Sequence, residues 1–176
     1  MSTRFSVAIP TPLGDCRATF SLIGLRELWL PHADGDSQSC TLDEPPHQSG
    51  SSNDSSQSVV QRRWAAEFAR ELEEYFAGVR RSFVVQLDLS SRTGFTKRVL
   101  ERLRSVPYGV VVTYGELARA CGNPHGARAV GTAMRNNPIP IVIPCHRVIA
   151  AGGKIGGYSP GLSVKRRLFE VEGIRL

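Results

Sequence analysis

Residues 113–135 read TYGELARACGNPHGARAVGTAMR, two short helical patterns with a turn between them. The first pattern predicts a helix over residues 114–121, with Thr113 as its N-cap. The turn formers at residues 122–124 end that helix, and the second pattern predicts a helix over residues 126–135. Two short helices joined by a glycine-containing turn predict a helix-turn-helix.

The second of these helices has a face of very small side chains. Apart from Arg128 and Arg135, that face carries almost nothing larger than a methyl group. One interpretation is tight packing against another helix. The other is a smooth helix that enters the minor groove of DNA while Arg128 reaches into the base stack.

The segment after the helix-turn-helix has the pattern of a nucleophile site. The apolar, proline-stiffened residues 139–144 precede Cys145 and His146. A thiol is mostly protonated at neutral pH, so a reactive cysteine needs a nearby base or positive charge. His146 is a candidate base, and adjacent residues of an extended chain point to opposite sides, which favours a bridging water.

The first 90 residues predict a separate, small α/β unit. Residues 3–30 alternate apolar and polar side chains between turn formers, which predicts an antiparallel meander. Apolar residues every four positions from Val60 to Phe76 predict an amphipathic helix with Ser58 as its N-cap. Residues 33–58 are rich in Ser, Asp, Gln and Pro, and we expect a flexible loop or insertion there.

Composition narrows the class of protein. The 176 residues carry a formal charge of +6, which favours an anionic partner such as nucleic acid. Neither a secretory signal nor a stretch of about 20 apolar residues is visible, so neither export nor a membrane span is expected. Four cysteines without a C-x-x-C pair predict free thiols. An irregular zinc set is a weaker alternative, and no metal or cofactor is expected; that set is Cys16, His32, Cys40 and His47.

Several segments, in order, resemble the O6-alkylguanine-DNA alkyltransferase family. The central match is Ile143-Pro144-Cys145-His146-Arg147-Val148, and the resemblance is dense from residue 94 to residue 173. It is weaker at residues 11–14 and 75–78. The other matching segments are residues 106–109, 113–118, 128–131, 136–138, 156–159 and 168–173.

The resemblance implies a chemistry and a set of catalytic residues. Cys145 would take an alkyl group, methyl above all, from O6 of guanine in one irreversible turnover, with O4-alkylthymine open as a second substrate. His146 would draw the thiol proton through a water, and Glu172 would orient His146, with Glu170 as an alternative. Asn137 would brace the active-site turn, and Tyr114 would give a proton to the leaving guanine.

The resemblance also implies how substrate and DNA are bound. A flipped nucleotide would be replaced in the stack by Arg128. The carbonyls of Cys145 and Val148 would accept from the exocyclic amine of guanine, and Pro160 would stiffen the rim of the pocket. The residues expected to line the pocket are Met134, Val148, Tyr158 and Ser159. The residues expected to contact DNA besides Arg128 are Ala127, Ala129, Gly131, Thr113, Asn123 and Arg135.

The expected architecture is α/β with two units. Residues 1–90 would form a small antiparallel sheet with a helix, similar to the family's ribonuclease-H-like domain. Residues 91–176 would form a mainly helical, winged-helix-like domain that carries the helix-turn-helix and the site. We expect a monomer bound to the minor groove of double-stranded DNA, with clustering on DNA left open. The expected location is cytoplasmic, or nuclear in a eukaryote.

Three other functions compete with alkyl transfer. A non-catalytic relative that binds alkylated DNA would replace the cysteine, whereas this chain keeps Cys145. A cysteine hydrolase would need an oxyanion hole, and no hydrolase motif is visible. A winged-helix regulator would carry Cys145 incidentally. Transfer of label from O6-methylguanine in DNA to the protein separates all three from the alkyltransferase.

Overall fold

A computed structural model describes residues 4–31 and 55–176, with the side chains of the second range described from residue 59 onward. Most of the predicted loop at residues 33–58 lies outside the described residues, as do His32, Cys40 and His47 of the zinc alternative. The last four residues of that predicted loop are helical, because the first helix begins at Ser55. Ser58 is therefore inside the helix, and its prediction as N-cap is wrong.

The N-terminal sheet has three antiparallel strands in sequence order. They are β1 (Phe5–Ile9), β2 (Cys16–Phe20) and β3 (Leu25–Trp29). Ile9 lies opposite Cys16 and Ala18 lies opposite Leu28, so the alternate apolar residues share the face that is buried. The meander predicted from the alternation is confirmed.

Helix α1 (Ser55–Phe76) covers one face of this sheet. Apolar residues spaced three and four apart place Ala65, Phe68 and Leu72 on its buried side. The ring of Phe68 meets Phe20 of β2 edge to face, with the centroids 6.3 Å apart. Burial of this apolar stripe fixes the helix against the sheet.

The outer edge of β3 is occupied by two later segments of the chain. Leu25 pairs in parallel with Leu87, and the amide of Leu28 donates to the carbonyl of Pro138 at 2.8 Å. A strand edge offers unpaired N–H and C=O groups. Here those groups attach the N-terminal sheet to the segment that leads to Cys145.

The C-terminal part is mainly helical. Helix α2 (Gly94–Arg104) precedes the short strand β4 (Val112–Thr113), which pairs in parallel with β5 (Val148–Ile149). The remaining elements are α3 (Tyr114–Ala120), α4 (Ala127–Arg135), α5 (Leu162–Glu172) and two 3₁₀ turns at Cys145–Arg147 and Ala151–Gly153. Helices α3 and α4 lie within one or two residues of the bounds that the sequence predicts.

The two parts share a continuous hydrophobic core. Buried apolar residues of the sheet and α1 join those of α2 to α5 in one cluster. The fold is mixed α/β with a small antiparallel sheet and several helices, as predicted. Within residues 4–31 and 55–176, no helix is both long enough and apolar enough to cross a membrane.

Candidate active site

The start of α3 fixes the position of Tyr114. The hydroxyl of Thr113 accepts from the amide of Glu116 at 3.2 Å, and the Glu116 carboxylate accepts from the amide of Thr113 at 2.7 Å. This reciprocal capping box sets the first turn of the helix. A Cβ atom at Gly156 would lie 3.4 Å from the Tyr114 ring and 3.2 Å from the amide nitrogen of Ala150, so glycine lets the later loop approach the ring.

Asn137 organises the turn that carries Cys145. Its side-chain amide donates to the carbonyl of Ile143 at 2.8 Å and to the Sγ atom of Cys145 at 3.1 Å. Its oxygen accepts from the amide of Ile139 at 3.1 Å. Inside this turn Ile141 has a φ of 71°, an unfavourable value for a β-branched residue. The contacts of Asn137 and the complete burial of the turn hold that conformation.

The chain at Cys145 is not extended. Residues 139–143 form a turn closed by a bond from the amide of Ile143 to the carbonyl of Ile139, and Cys145–Arg147 is a 3₁₀ turn. The argument that neighbouring side chains of an extended chain point to opposite sides is therefore wrong here. In a 3₁₀ turn, successive side chains are about 120° apart, so Cys145 and His146 still leave the backbone in different directions.

His146 and Arg147 both bind the carboxylate of Glu172 at the end of α5. The Nε2 atom of His146 lies 2.7 Å from Oε1. The guanidinium of Arg147 donates to both oxygens, at 3.0 and 2.9 Å. The amide of Gly109 donates to Oε2 at 3.1 Å, and the Tyr75 hydroxyl donates to Oε1 at 2.7 Å. Glu170, the alternative partner, is exposed and pairs with Arg167.

These contacts determine the charge states of Glu172 and His146. Burial opposes ionisation of Glu172, but the hydrogen bonds from His146 and Arg147 prevail and lower its pKa to about 2. Burial lowers the pKa of His146, against the opposing effect of Glu172. A carboxylate at Oε1 holds the proton of neutral His146 on Nε2. Its Nδ1 atom has no hydrogen-bond partner among the described residues and is free to accept a proton.

The thiol of Cys145 is buried and has polar neighbours. Burial raises its pKa, while the hydrogen bond from Asn137 and the charge of Lys165 act in the opposite direction. The Tyr114 hydroxyl has its pKa raised by burial and by the nearby Cys145. Burial lowers the pKa of Lys165 to about 8. In the described part of the chain, no three His, Cys, Asp or Glu side chains are grouped so that they could hold a metal ion.

The other sequence-predicted residues fall into two groups. Of the residues expected to line the pocket, Met134 and Val148 are buried, the hydroxyl of Tyr158 is buried beside Cys145, and Ser159 is exposed. Most of the residues proposed to contact DNA lie along α4 and the turn before it, and Thr113 is the N-cap of α3. Arg128, Ala129 and Arg135 are exposed, and those partly exposed are Ala127, Gly131, Thr113 and Asn123.

Comparison with known proteins gives consistent matches. The sequence model described as 6-O-methylguanine DNA methyltransferase, DNA binding domain, matches residues 94–174. The methylated-DNA–protein-cysteine methyltransferase of Methanosarcina acetivorans is 50% identical over 115 residues, which span 65% of this chain and 73% of the relative. That of Mycobacterium tuberculosis is 50% identical over 105 residues, 60% of this chain and 63% of the relative.

Solved structures give the same result across nearly the whole chain. The crystal structure of Mycobacterium tuberculosis OGT in complex with DNA matches with a TM-score of 0.72 and 36% identity, covering 94% of this chain and 90% of that one. The chain belongs to the methylated-DNA–protein-cysteine methyltransferase family. An O6-methylguanine-DNA methyltransferase from Pyrococcus kodakaraensis, 25% identical, matches with a TM-score of 0.57 and covers 98% of this chain and 100% of that one.

Three residues of this methyltransferase-family site were not predicted from the sequence. Arg147 binds Glu172, and Tyr75 reaches the same carboxylate from α1. Lys165 is fully buried and donates to the carbonyl of Val148 at 2.7 Å. Arg147 is followed by an apolar run, where a charge needs a buried partner, and that pattern was the available signal. Lys165 begins the basic triplet at residues 165–167, which gave no such signal. Tyr75 was indistinguishable from a core residue.

Proposed function

We propose that this chain repairs DNA by direct reversal, moving one alkyl group from O6-alkylguanine to Cys145 in a single turnover. The observation that carries the proposal is a pair of contacts made by the buried turn at Cys145–Arg147: Asn137 with Cys145, and Glu172 of α5 with His146. The names of the relatives and the DNA complex of a structural neighbour support the same activity. Methyl is the alkyl group that we expect the protein to transfer.

The reaction is a nucleophilic displacement. His146 takes the thiol proton of Cys145 on Nδ1 through one water, and Glu172 stabilises the imidazolium that forms. The thiolate attacks the alkyl carbon, a C–S bond forms, and the bond between that carbon and O6 breaks. The electron pair goes to guanine, which takes a proton from Tyr114, and the proton held by His146 returns through water to the Tyr114 phenolate. The thioether is stable, and no water releases it, so the protein acts once.

The pocket is proposed to hold guanine between α4 and the loop after β5. Met134 and Tyr158 would pack against the base, and Ser159 would bind its O6 side. The carbonyl of Val148 already accepts from Lys165 and that of Cys145 from the amide of Val148. Each carbonyl oxygen has a second lone pair, and these would accept from the exocyclic amine of guanine.

DNA is proposed to lie against α4 through its minor groove. Residues 94–176 contain 13 Lys and Arg and 4 Asp and Glu, whereas residues 1–93 contain 9 and 12, so the positive charge is concentrated on this part. Arg128 is exposed on α4 and would fill the place of the flipped base. The small residues Ala127, Ala129 and Gly131 would let the helix approach the groove.

Further details of the proposal follow the family resemblance. The N-terminal unit would be ribonuclease-H-like and the C-terminal unit winged-helix-like, with α3 and α4 as its helix-turn-helix. The protein would act as a monomer, with clustering on DNA open, and in the cytoplasm or, in a eukaryote, the nucleus. Pro160 would limit the movement of the pocket rim because its φ is fixed.

The test is a single-turnover assay with duplex DNA that carries a labelled O6-methyl group on guanine. We expect label to move to the protein, with at most one equivalent transferred and none to Cys145→Ser. That variant should still bind the duplex. Binding of alkylated DNA without transfer by the wild-type protein would favour a non-catalytic damage sensor. Release of label into solvent would favour a hydrolase, and neither result is compatible with the proposal.

A further inference from the structure

A tyrosine of the N-terminal helix reaches the carboxylate of the active site. The Tyr75 hydroxyl donates to Oε1 of Glu172 at 2.7 Å, across 97 residues of sequence. The same oxygen lies 2.7 Å from Nε2 of His146. Tyr75 and His146 therefore share one acceptor atom, and the charge on that atom acts on both.

The surroundings of Tyr75 keep it in place as a donor. Its side chain is fully buried. The aromatic rings of Phe76, Phe83 and Tyr108 pack around it, with centroids at 5.3, 5.4 and 6.1 Å. Burial, and next the negative charge of Glu172, raise the pKa of the Tyr75 hydroxyl far above its usual value. The hydroxyl is therefore protonated at neutral pH, where it donates to Glu172.

Within the described residues, three other residues donate to the Glu172 carboxylate. Arg147 and the Gly109 amide donate to the carboxylate besides His146 and Tyr75. The charged groups that act on His146 are Glu172, Arg147 and Lys165, and the Tyr158 ring lies edge-on to the imidazole. Of the donors to Oε1, Tyr75 is neutral and takes no part in the proposed proton transfer, so its hydroxyl can be removed without leaving a buried charge unpaired.

The N-terminal unit also holds the other side of the site. The amide of Leu28 in β3 donates to the carbonyl of Pro138, next to Asn137. One contact therefore fixes the turn that carries the nucleophile, and the other fixes the carboxylate behind the base. The two contacts are independent, because they come from the sheet and from α1.

We propose, on the basis of the alkyl transfer proposed above, that Tyr75 is a positioning residue for that reaction. By donating to Oε1 it withdraws charge from the atom that binds His146, and so it keeps His146 a weaker base than Glu172 alone would make it. Loss of the Tyr75 hydroxyl strengthens the hydrogen bond that His146 donates to Oε1, and this stabilises the imidazolium form of His146.

The test compares Tyr75→Phe with Tyr108→Phe in the full chain. The Phe variant of Tyr75 keeps the ring and loses only the hydroxyl. Tyr108 is a matched control, because its hydroxyl donates to the backbone carbonyl of Val171, beside Glu172, without touching the carboxylate. Single-turnover methyl transfer from O6-methylguanine duplex is followed from about pH 5 to about pH 8, and the His146 ring is titrated by NMR.

In Tyr75→Phe the imidazolium should persist to higher pH. The ascending limb of the rate profile and the pKa of His146 should both move up, by about half a unit to one unit, with the plateau rate within about threefold of wild type. Tyr108→Phe should move neither. The assignment of Tyr75 would be overturned if the ascending limb of the rate profile did not move in Tyr75→Phe, or if it moved equally in both variants. Absence of transfer by wild type at every pH would instead overturn the proposed function, and the role of Tyr75 in it.

Discussion

At the scale of single residues, the site depends on a buried carboxylate that never loses its charge near neutral pH. Glu172 accepts from His146, from two nitrogens of the Arg147 guanidinium, from Gly109 and from Tyr75. These donors offset the cost of burying the charge. In the proposed reaction, Glu172 thereby serves both the chemistry of His146 and the stability of the fold.

The first prediction concerns the pH dependence of stability. The pKa of Glu172 is lowered from 4.5 to about 2, so its contribution is complete above the ordinary value and disappears as the pH falls toward 2. Wild type should lose on the order of 3 kcal/mol more free energy of unfolding between about pH 5 and about pH 2 than Glu172→Gln does. Urea unfolding at several pH values measures this.

Glu170→Gln is the matched control, because Glu170 is exposed and pairs only with Arg167 within the described residues. Its pH dependence should follow that of wild type. At neutral pH Glu172→Gln should be less stable by about 3–5 kcal/mol, since Arg147 is left buried without its countercharge. The same acid sensitivity in wild type and Glu172→Gln would show that the carboxylate is not held as described.

The second prediction concerns Asn137. Its hydrogen bond to Sγ opposes the effect of burial on the thiol, so Asn137→Ala should raise the pKa of Cys145 further. The thiolate fraction at neutral pH then falls, and we expect transfer about tenfold slower or more. Asn136→Ala is the control, because its side chain donates to the Thr132 carbonyl on the exposed face of α4. Equal rates for the two variants would contradict the role of Asn137.

At the scale of elements, α4 separates the proposed DNA contacts from the proposed chemistry. Its buried side carries Val130, Ala133 and Met134, which pack toward the core and the pocket. Its exposed side carries Arg128. Arg128 does not contact Cys145, His146 or Glu172, so its removal leaves the catalytic groups in place.

The third prediction follows from that separation. Arg128→Ala should slow repair of duplex DNA severely and leave reaction with the free base O6-benzylguanine nearly unchanged, because the free base needs no flipping. The salt dependence of duplex binding should weaken by up to about one unit of log–log slope if Arg128 neutralises one phosphate. Tyr114→Phe should slow both reactions, as it removes a proton donor. Equal losses on both substrates for Arg128→Ala would assign it to the fold or the pocket instead.

Sequence reasoning succeeded where a pattern is local. The strands at residues 5–29, the long amphipathic helix and the two helices around residues 122–126 all follow from periodicity and turn formers. It failed at the turn before Cys145. The prolines suggested an extended approach, whereas the left-handed Ile141 and the three bonds of Asn137 impose a compact turn. Those bonds depend on side-chain placement that spacing does not reveal.

At the scale of the whole molecule, the proposed catalytic network crosses between the two parts of the chain. Tyr75 and Leu28 reach Glu172 and Pro138 from the N-terminal part, and the buried apolar residues form one cluster. Such contacts join residues far apart in sequence, which is why neither was predicted. The same continuity implies that the two parts unfold together.

The fourth prediction tests this cooperativity. Both tryptophans, Trp29 and Trp64, lie in the N-terminal part, so their fluorescence reports on that part alone. Far-UV circular dichroism also reports on helices α2 to α5. Urea transitions followed by the two probes should coincide in midpoint and slope. A separate fluorescence transition would show that the parts are thermodynamically independent.

The central claim is that Cys145 accepts the alkyl group, and peptide mass spectrometry after reaction with O6-methylguanine duplex tests it most directly. The three described cysteines are possible acceptors at different places in the fold. Cys145 is beside Asn137, whereas Cys16 lies in β2 and Cys121 follows α3. The account predicts one added methyl group per protein, on the peptide that contains Cys145. A methyl group on Cys16, Cys40 or Cys121 instead, or an unmodified protein after the DNA has been repaired, would contradict it.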